Sequence, residues 1–296
     1  MSADHAAELF GLTDAVALVT GGAGGIPKAT AVALAKAGAH VAVADIADEF
    51  TARTVKEIEE LGRRAIGLHA DVRQPADVHA MIEETRRQLG PITVAVNAVG
   101  GLGVATPKSF LDFTLEEWNG PVERNLTATM LCMQAEAVAM ISDGMAGRIV
   151  NFGSTSGVTA APSIAHYGAA NAGVIHLTKS AALELAPYDI RVNCVVPGTH
   201  LIDRAGRETP TSRRPEQAEF LRQAAAATPL KRLGGAGETA GVALFLASDL
   251  SSYMTGHAVI SDGGMMHTSQ RPAVGTVTPA ALTGIETRAG AGGRHE

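Results

Sequence analysis

Short apolar runs alternate with alanine-rich amphipathic segments along most of this 296-residue chain. A short apolar run predicts a buried strand, and apolar residues at helical spacing predict a helix. Strands separated by helices pair in parallel, and a parallel sheet needs helices on both of its faces. The pattern therefore predicts an α/β fold: one domain with a doubly wound parallel sheet of about seven strands.

The expected elements follow from this alternation. Strands are predicted at 15–20, 40–44, 64–69, 93–97, 147–152, 191–196 and 257–261. Helices are predicted near 26–37, 48–61, 75–89, 114–142, 165–186 and 237–248. In the longest helix, Thr114 and Glu117 have the spacing of a capping box. Gly120-Pro121 predicts a kink there, because proline removes an amide donor.

Composition limits the possible partners. The net charge of −6 argues against nucleic acid or an anionic membrane and favours a small-molecule ligand. No apolar run approaches the roughly 18 residues of a membrane span, and no signal peptide is expected. Cys132 and Cys194 are expected to be buried reduced thiols, which favours a cytoplasmic location. The sequence predicts no metal site.

Two segments lack a strong periodicity of apolar residues. Residues 199–228, after the sixth predicted strand, mix charge, proline and threonine at the position of a substrate lid. Residues 271–296 are rich in glycine, alanine, threonine and proline. A flexible tail and an extension that packs on another subunit both fit them, and we favour the tail. The domain is therefore expected to span 1–270.

The first predicted strand leads into a glycine-rich turn at the start of a helix. This turn contains Thr20, Gly21 and Gly25. Glycines let backbone amides approach a pyrophosphate, and a helix N-terminus favours negative charge. Asp45 ends the next strand, where a carboxylate binds the adenosine ribose and repels a 2′-phosphate. The two features together predict a dinucleotide site that prefers NAD to NADP.

Residues 10–266 resemble the short-chain dehydrogenases/reductases, a family with a Rossmann-like fold. Tyr167-Gly-Ala-Ala-Asn171 matches the family's Tyr-x-x-x-Lys motif except at its last residue. The glycine turn is similar to Thr-Gly-x-x-x-Gly-x-Gly, with Pro27 at the last glycine. The cofactor contacts that the resemblance implies are Thr20, Gly21, Gly25, Ile26, Asp45, Asp71, Val72, Asn97, Gly100, Pro197, Gly198 and Thr199. Ile202 stands where the family usually has a threonine, and Thr199 is a possible substitute.

The resemblance also implies a catalytic set. Ser154, thirteen residues before Tyr167, matches the serine that hydrogen-bonds the reacting oxygen. Tyr167 matches the proton-transferring tyrosine, and Asn125 matches an asparagine whose backbone holds a relay water. Asn171 replaces the lysine that binds the nicotinamide ribose and lowers the tyrosine pKa. The C-terminal segments are similar to those through which the family commonly forms homodimers or homotetramers.

Asn171 leaves several functions open. At an effective dielectric near about 20, a positive charge about 4 Å from the tyrosinate stabilises it by up to about 4 kcal/mol, which lowers the tyrosine pKa by up to about 3 units. An amide cannot supply that charge. The first hypothesis is an NAD(H)-dependent oxidoreductase that interconverts a secondary alcohol and a ketone. The alternatives are a non-redox lyase, dehydratase or isomerase, and a catalytically silent NAD-binding subunit.

Overall fold

The computed structural model describes residues 10–103, 106–201 and 215–267. Its main sheet has seven strands, all paired in parallel in the order β3-β2-β1-β4-β5-β6-β9. These strands are β1 Val16–Thr20, β2 His40–Asp45, β3 Ala65–His69, β4 Val94–Asn97, β5 Gly147–Phe152, β6 Ile190–Pro197 and β9 Ala258–Ser261. A short parallel pair joins β7 (His200–Leu201) to β8 (Gly234–Gly235). The predicted doubly wound parallel sheet is confirmed.

Helices cover both faces of the sheet. They are α1 Gly25–Lys36, α2 Asp48–Glu60, α3 Pro75–Leu89, α4 Leu115–Pro121, α5 Ala128–Ser142, α6 Ala165–Leu185, α7 Pro215–Ala227 and α8 Ala236–Ala247. Neighbouring residues of β1 point to opposite faces: Leu18 packs with α3 and α5, whereas Val19 packs with α1 and α8. Among the described helices, none is both long and apolar enough to cross a membrane.

The segment predicted as one kinked helix at 114–142 is interrupted. Thr114 caps α4 as expected: its hydroxyl accepts from the Glu117 amide at 3.2 Å, and its own amide donates to the Glu117 carboxylate at 2.9 Å. After Pro121 the backbone widens into a π-helical turn, Val122–Thr127, before α5 begins. The side-chain amide of Asn125 donates to the Pro121 carbonyl at 2.7 Å. The predicted break is confirmed, and Asn125 lies within it.

Parts of the predicted lid and tail cannot be compared with the structure. Of the lid at 199–228, residues 202–214 lie outside the described residues, and α7 follows them. The tail at 271–296 also lies outside the described residues. The compact unit that holds the sheet ends at Met266.

The carboxyl group of Glu136 lies in the core of the described part of the chain. Glu136 on α5 has no exposed surface, and one of its oxygens accepts from the Asn97 side-chain amide at 2.8 Å. The same amide donates to Asn151 at 3.1 Å, and Asn151 donates to Thr178 at 3.0 Å. Among the described residues, the second Glu136 oxygen has no hydrogen-bond partner. Burial raises the pKa of the Glu136 carboxyl to about 7.

Replacing Glu136 with Gln should flatten part of the pH dependence of stability. Because its pKa rises from 4.5 to about 7 on folding, protonated Glu136 contributes stability that is complete below the unfolded pKa and is lost as pH rises through 7. Urea unfolding of the wild-type chain should show a loss of up to about 3 kcal/mol between about pH 5 and about pH 8 from this group. Glu136→Gln should lack that loss.

The matched control is Glu116→Gln, because Glu116 is an exposed glutamate on α4. Its pH dependence should follow that of the wild-type chain. Equal pH dependence in the wild-type chain and Glu136→Gln would show that the buried carboxyl does not govern stability in this range.

Candidate active site

The site residues expected from the sequence converge on the carboxyl edge of the sheet. Because β1 lies between β2 and β4, the chain leaves β1 and β4 in opposite directions, which opens a crevice at their carboxyl ends. The strands deliver Thr20, Asp45, Asn97, Ser154 and Pro197 to this edge. Tyr167 lies in the first turn of α6, which packs beside β5 and β6.

The glycine turn has the geometry of an anion cradle. Gly21 adopts φ +75°, which favours glycine, and its amide donates to the Ala44 carbonyl at 2.8 Å. The N-cap of α1 is Gly24, which has no side chain to cap the first-turn amides. Pro27 lies in that first turn, where its missing amide breaks no intrahelical bond. The turn therefore fits a pyrophosphate.

Asp45 is fixed at the rim of this turn. One carboxylate oxygen accepts from the Ala23 amide and the other from the Ala47 amide, both at 3.1 Å. The first bond joins the end of β2 to the glycine turn. The Asp45 carboxylate therefore lies beside the glycine turn.

Thr20 and Asn125 hold the two sides of the crevice together. The Thr20 hydroxyl donates to the Val96 carbonyl at 3.3 Å and accepts from the Ala98 amide at 3.2 Å. The Asn125 side chain accepts from the Gly101 amide at 2.9 Å and donates to the Gly101 carbonyl at 3.0 Å. A Cβ at Gly100 would lie 2.7 Å from the Asn125 oxygen. The loop after β4 is therefore clamped to the π-helical turn.

The Ser154 turn packs directly on the Tyr167 turn of α6. The Ser154 hydroxyl accepts from the Ser156 amide at 3.2 Å. A Cβ at Gly157 would lie 2.6 Å from the Asn171 carbonyl carbon and from the Ala172 amide nitrogen, and one at Gly168 would lie 2.8 Å from the Ser156 oxygen. Glycine at both positions brings the Ser154 turn and the α6 backbone into contact.

Asn171 is turned back onto its own helix. Its side chain is 2% exposed, and its amide nitrogen donates to the Tyr167 carbonyl at 2.9 Å. This bond spans one helical turn, so Asn171 lies on the same face as Tyr167. A neutral amide brings no positive charge to that face.

Three basic side chains on the elements that carry the site differ in exposure and contacts. Lys179 is exposed on α6. His166 is fully buried and packs on Phe113 with ring centroids 4.5 Å apart. His200 is hydrogen-bonded through both ring nitrogens. Among the described residues, no group of three or more His, Cys, Asp or Glu could hold a metal ion.

Asp71 has a partner that the sequence reasoning missed. Arg73 donates to both Asp71 carboxylate oxygens, the shortest distance being 2.6 Å, and these bonds lower the pKa of Asp71. Val72 is buried beside them. An adenine contact at Asp71 would share the carboxylate with Arg73. The only sequence signal for this pair is its two-residue spacing.

The segment after β6 is also held by backbone bonds. The Gly198 amide donates to the Ser261 backbone carbonyl at 2.9 Å, and the Gly234 amide donates to the Thr199 carbonyl at 3.2 Å. Pro197, Gly198 and Thr199 therefore lie at the same sheet edge as Ser154. Ile202 lies outside the described residues.

Comparisons with known proteins identify the family of this chain. A family model described as enoyl-(acyl carrier protein) reductase matches residues 21–266. Cyclohexanol dehydrogenase from Acinetobacter sp. (strain SE19) is 37% identical over 248 residues, covering 84% of this chain and 93% of that protein. 3-Oxoacyl-[acyl-carrier-protein] reductase from Synechocystis sp. is 38% identical over 258 residues, covering 86% and 98%.

A solved structure shows the same fold. The crystal structure of a short-chain type dehydrogenase/reductase from Mycobacterium marinum is 35% identical, with a TM-score of 0.80 over 90% of this chain and 100% of that one. The chain therefore belongs to the short-chain dehydrogenase/reductase family. It is an oxidoreductase that acts on CH–OH groups, and enzymes of this family use NAD or NADP.

Replacing Gly157 with Ala should separate the Ser154 turn from α6. The new methyl group would meet backbone atoms at 2.6 Å, and backbone cannot rotate away as a side chain can. We expect the free energy of unfolding to fall by about 1–3 kcal/mol, with a loss of catalytic activity. Urea unfolding and steady-state kinetics measure both effects.

Gly241→Ala on α8 is the control, because a Cβ there would meet no atom within 4 Å. That exposed helical position should gain up to about 1 kcal/mol from the better helix former. If Gly157→Ala is as stable and active as Gly241→Ala, the close packing has no functional role.

Proposed function

We propose that the chain is an NAD(H)-dependent oxidoreductase that interconverts a secondary alcohol and a ketone. Ser154 orients the substrate oxygen, and Tyr167 donates or accepts its proton. The observation that carries this proposal is the contact of the Ser154 turn with the Tyr167–Asn171 turn through Gly157, beside the crevice between β1 and β4.

The donor set at the crevice fits a dinucleotide. Thr20, Gly21, Gly25 and Ile26 form the turn that would receive the pyrophosphate, and Asp45 is placed for the adenosine ribose hydroxyls. Asp71 with Val72 would border the adenine. The crevice between Asn97–Gly100 and Pro197–Thr199 would hold the nicotinamide. When bound, the nicotinamide supplies the hydride chemistry.

NAD is the preferred form because of charge at the ribose site. The Asp45 carboxylate, held by two amides, would repel a 2′-phosphate. A groove of about 600 Å³ beside the glycine turn is lined by Lys28 and Arg53, among others. Lys28 is paired with Glu57 at 2.8 Å and Arg53 with Glu49 at 2.5 Å. Each cation is therefore already paired with a carboxylate, which leaves it less available to a 2′-phosphate.

Asn171 affects the pH at which Tyr167 can act as the base. Without a lysine, the tyrosinate form of Tyr167 loses up to about 4 kcal/mol of Coulombic stabilisation. The oxidised nicotinamide carries a positive charge that partly compensates for this loss during alcohol oxidation. We expect alcohol oxidation to need a higher pH than it would with a lysine at position 171, because the tyrosinate forms less readily.

Cyclic secondary alcohols are the first substrates to examine. One relative is named cyclohexanol dehydrogenase, and a similar solved structure is named levodione reductase. Cyclohexanol is therefore a suitable probe, and an alcohol and ketone panel extends the search.

Assembly and location are further parts of the proposal. Val138 on α5 and Leu183 on α6 are exposed apolar side chains on neighbouring helices, which supports a homodimer or homotetramer. Cys132 and Cys194 are buried free thiols, which suits a cytoplasmic location.

Replacing Asn171 with Lys should raise NAD-linked alcohol oxidation. An ammonium group on the face of Tyr167 stabilises the tyrosinate and lowers the tyrosine pKa, so the active base is present at lower pH. We expect kcat to rise about tenfold at neutral pH and the acidic limb of the pH profile to move down by about one unit. Steady-state rates with NAD and with NADP, measured in parallel across pH, test this and the expected preference for NAD.

Asn171→Met is the matched control, since methionine has a long unbranched side chain without charge. Its pH profile should keep the wild-type position, which separates charge from size. If Asn171→Lys lowers a native activity, Asn171 serves other chemistry. Dinucleotide binding without turnover of any alcohol or ketone would favour a silent subunit.

A further inference from the structure

His200 joins the segment after β6 to two other elements. Its Nδ1 lies 2.9 Å from the Gly198 carbonyl oxygen, and its Nε2 lies 2.6 Å from the Thr239 hydroxyl on α8. The Thr239 hydroxyl lies 2.9 Å from the Ser261 hydroxyl at the end of β9. Thr239 is fully buried and His200 is 9% exposed. Ser261 is partly exposed, so the cluster is buried at its His200 and Thr239 end.

The donors in this chain follow from its acceptors. A carbonyl oxygen can only accept, so Nδ1 of His200 carries a proton. In the neutral ring Nε2 is then an acceptor, and the Thr239 hydroxyl must donate to it. Ser261 in turn donates to Thr239. Each of the three side chains then donates one hydrogen bond. Ser261 on β9 donates to Thr239 on α8, Thr239 donates to His200, and His200 donates to the Gly198 carbonyl.

Packing leaves His200 little freedom. A Cβ at Gly234 would lie 2.5 Å from His200 Nε2, so the ring rests on the β8 backbone. β7 and β8 pair through His200 and Gly234. A Cβ at Gly198 would lie 2.7 Å from the Asp262 Cβ, so the turn before His200 also packs closely. The ring is fixed by contacts as well as by hydrogen bonds.

These contacts hold the segment on which the proposed function depends. Pro197, Gly198 and Thr199 are tied to β9 through the Gly198 amide and to β8 through the Thr199 carbonyl. His200 adds a third tie through the Gly198 carbonyl. We propose that His200, held by Thr239 and Ser261, is a positioning residue that sets how this segment meets the nicotinamide half of the cofactor. The proposal rests on the cofactor site proposed above.

Thr239→Val tests the proposal, because valine keeps the shape and removes the hydroxyl that His200 requires. Thr239→Ser restores the hydroxyl and should rescue the wild-type behaviour. The matched control is Thr85→Val, because Thr85 is also fully buried and its hydroxyl bonds only to its own helix, at the Met81 carbonyl. Thermal unfolding of all variants checks that each one folds.

Three measurements separate a positioning role of His200 from an effect on general stability. In the protein without cofactor, hydrogen exchange at the Gly198 and Gly234 amides should be about tenfold faster in Thr239→Val, because one buried hydrogen bond is lost. The Kd of NADH, from its fluorescence, should rise about tenfold. The KM for NAD should rise with it, while the KM for the alcohol should change by less than about twofold. Thr85→Val should show none of these changes.

Unchanged exchange at Gly198 and Gly234 in Thr239→Val would overturn the proposal, whatever the wild-type chain binds. Faster exchange with unchanged NADH affinity and NAD KM would overturn it too, since the tie would then not reach the cofactor. Failure of the wild-type chain to bind any dinucleotide is a different result: it overturns the proposed function, while the exchange experiment still reports whether His200 holds the segment.

Discussion

Contact between the Ser154 turn and α6 is the constraint on which the site depends. Gly157 and Gly168 let two backbone segments approach to distances that a side chain would prevent. Ser154 follows β5, and Tyr167 lies in the first turn of α6, the helix that precedes β6. The two groups are therefore presented from rigid elements, and each is supported by main-chain contact. A site placed in this way needs little reorganisation during reaction.

Charge at this contact bears on the proposed role of Tyr167. Asn171 lies one helical turn after Tyr167, where the resemblance implies a lysine, and its side-chain amide donates to the Tyr167 carbonyl. Neither Lys179, which is exposed, nor His200, which is bonded to Gly198 and Thr239, is placed to replace that charge. In the proposed reaction, the positive nicotinamide would supply part of the charge that Asn171 does not.

The sequence predicts the sheet and the edge that carries the site, because apolar periodicity and glycine turns are local signals. The break at Pro121 was predictable for the same reason. The Asp71–Arg73 pair, the buried Glu136 and the bond that occupies Asn171 were not predicted. Each of these features depends on the folded structure, which decides which residues lie within hydrogen-bond distance and which residues bury a polar group. The bonds of His200 to Thr239 and Ser261 join residues far apart in sequence, so no local pattern reports them.

Deuterium transfer shows directly whether the chain moves a hydride from a secondary alcohol to NAD with Tyr167 as the base. The chain is incubated with NAD and a secondary alcohol that carries deuterium on its carbinol carbon, and the reduced dinucleotide is examined by mass spectrometry. Deuterium should appear in the nicotinamide with the wild-type chain, and Tyr167→Phe should slow its appearance by a factor on the order of 10² to 10⁴. Reduced dinucleotide without deuterium, or an undiminished rate in Tyr167→Phe, would contradict the claim.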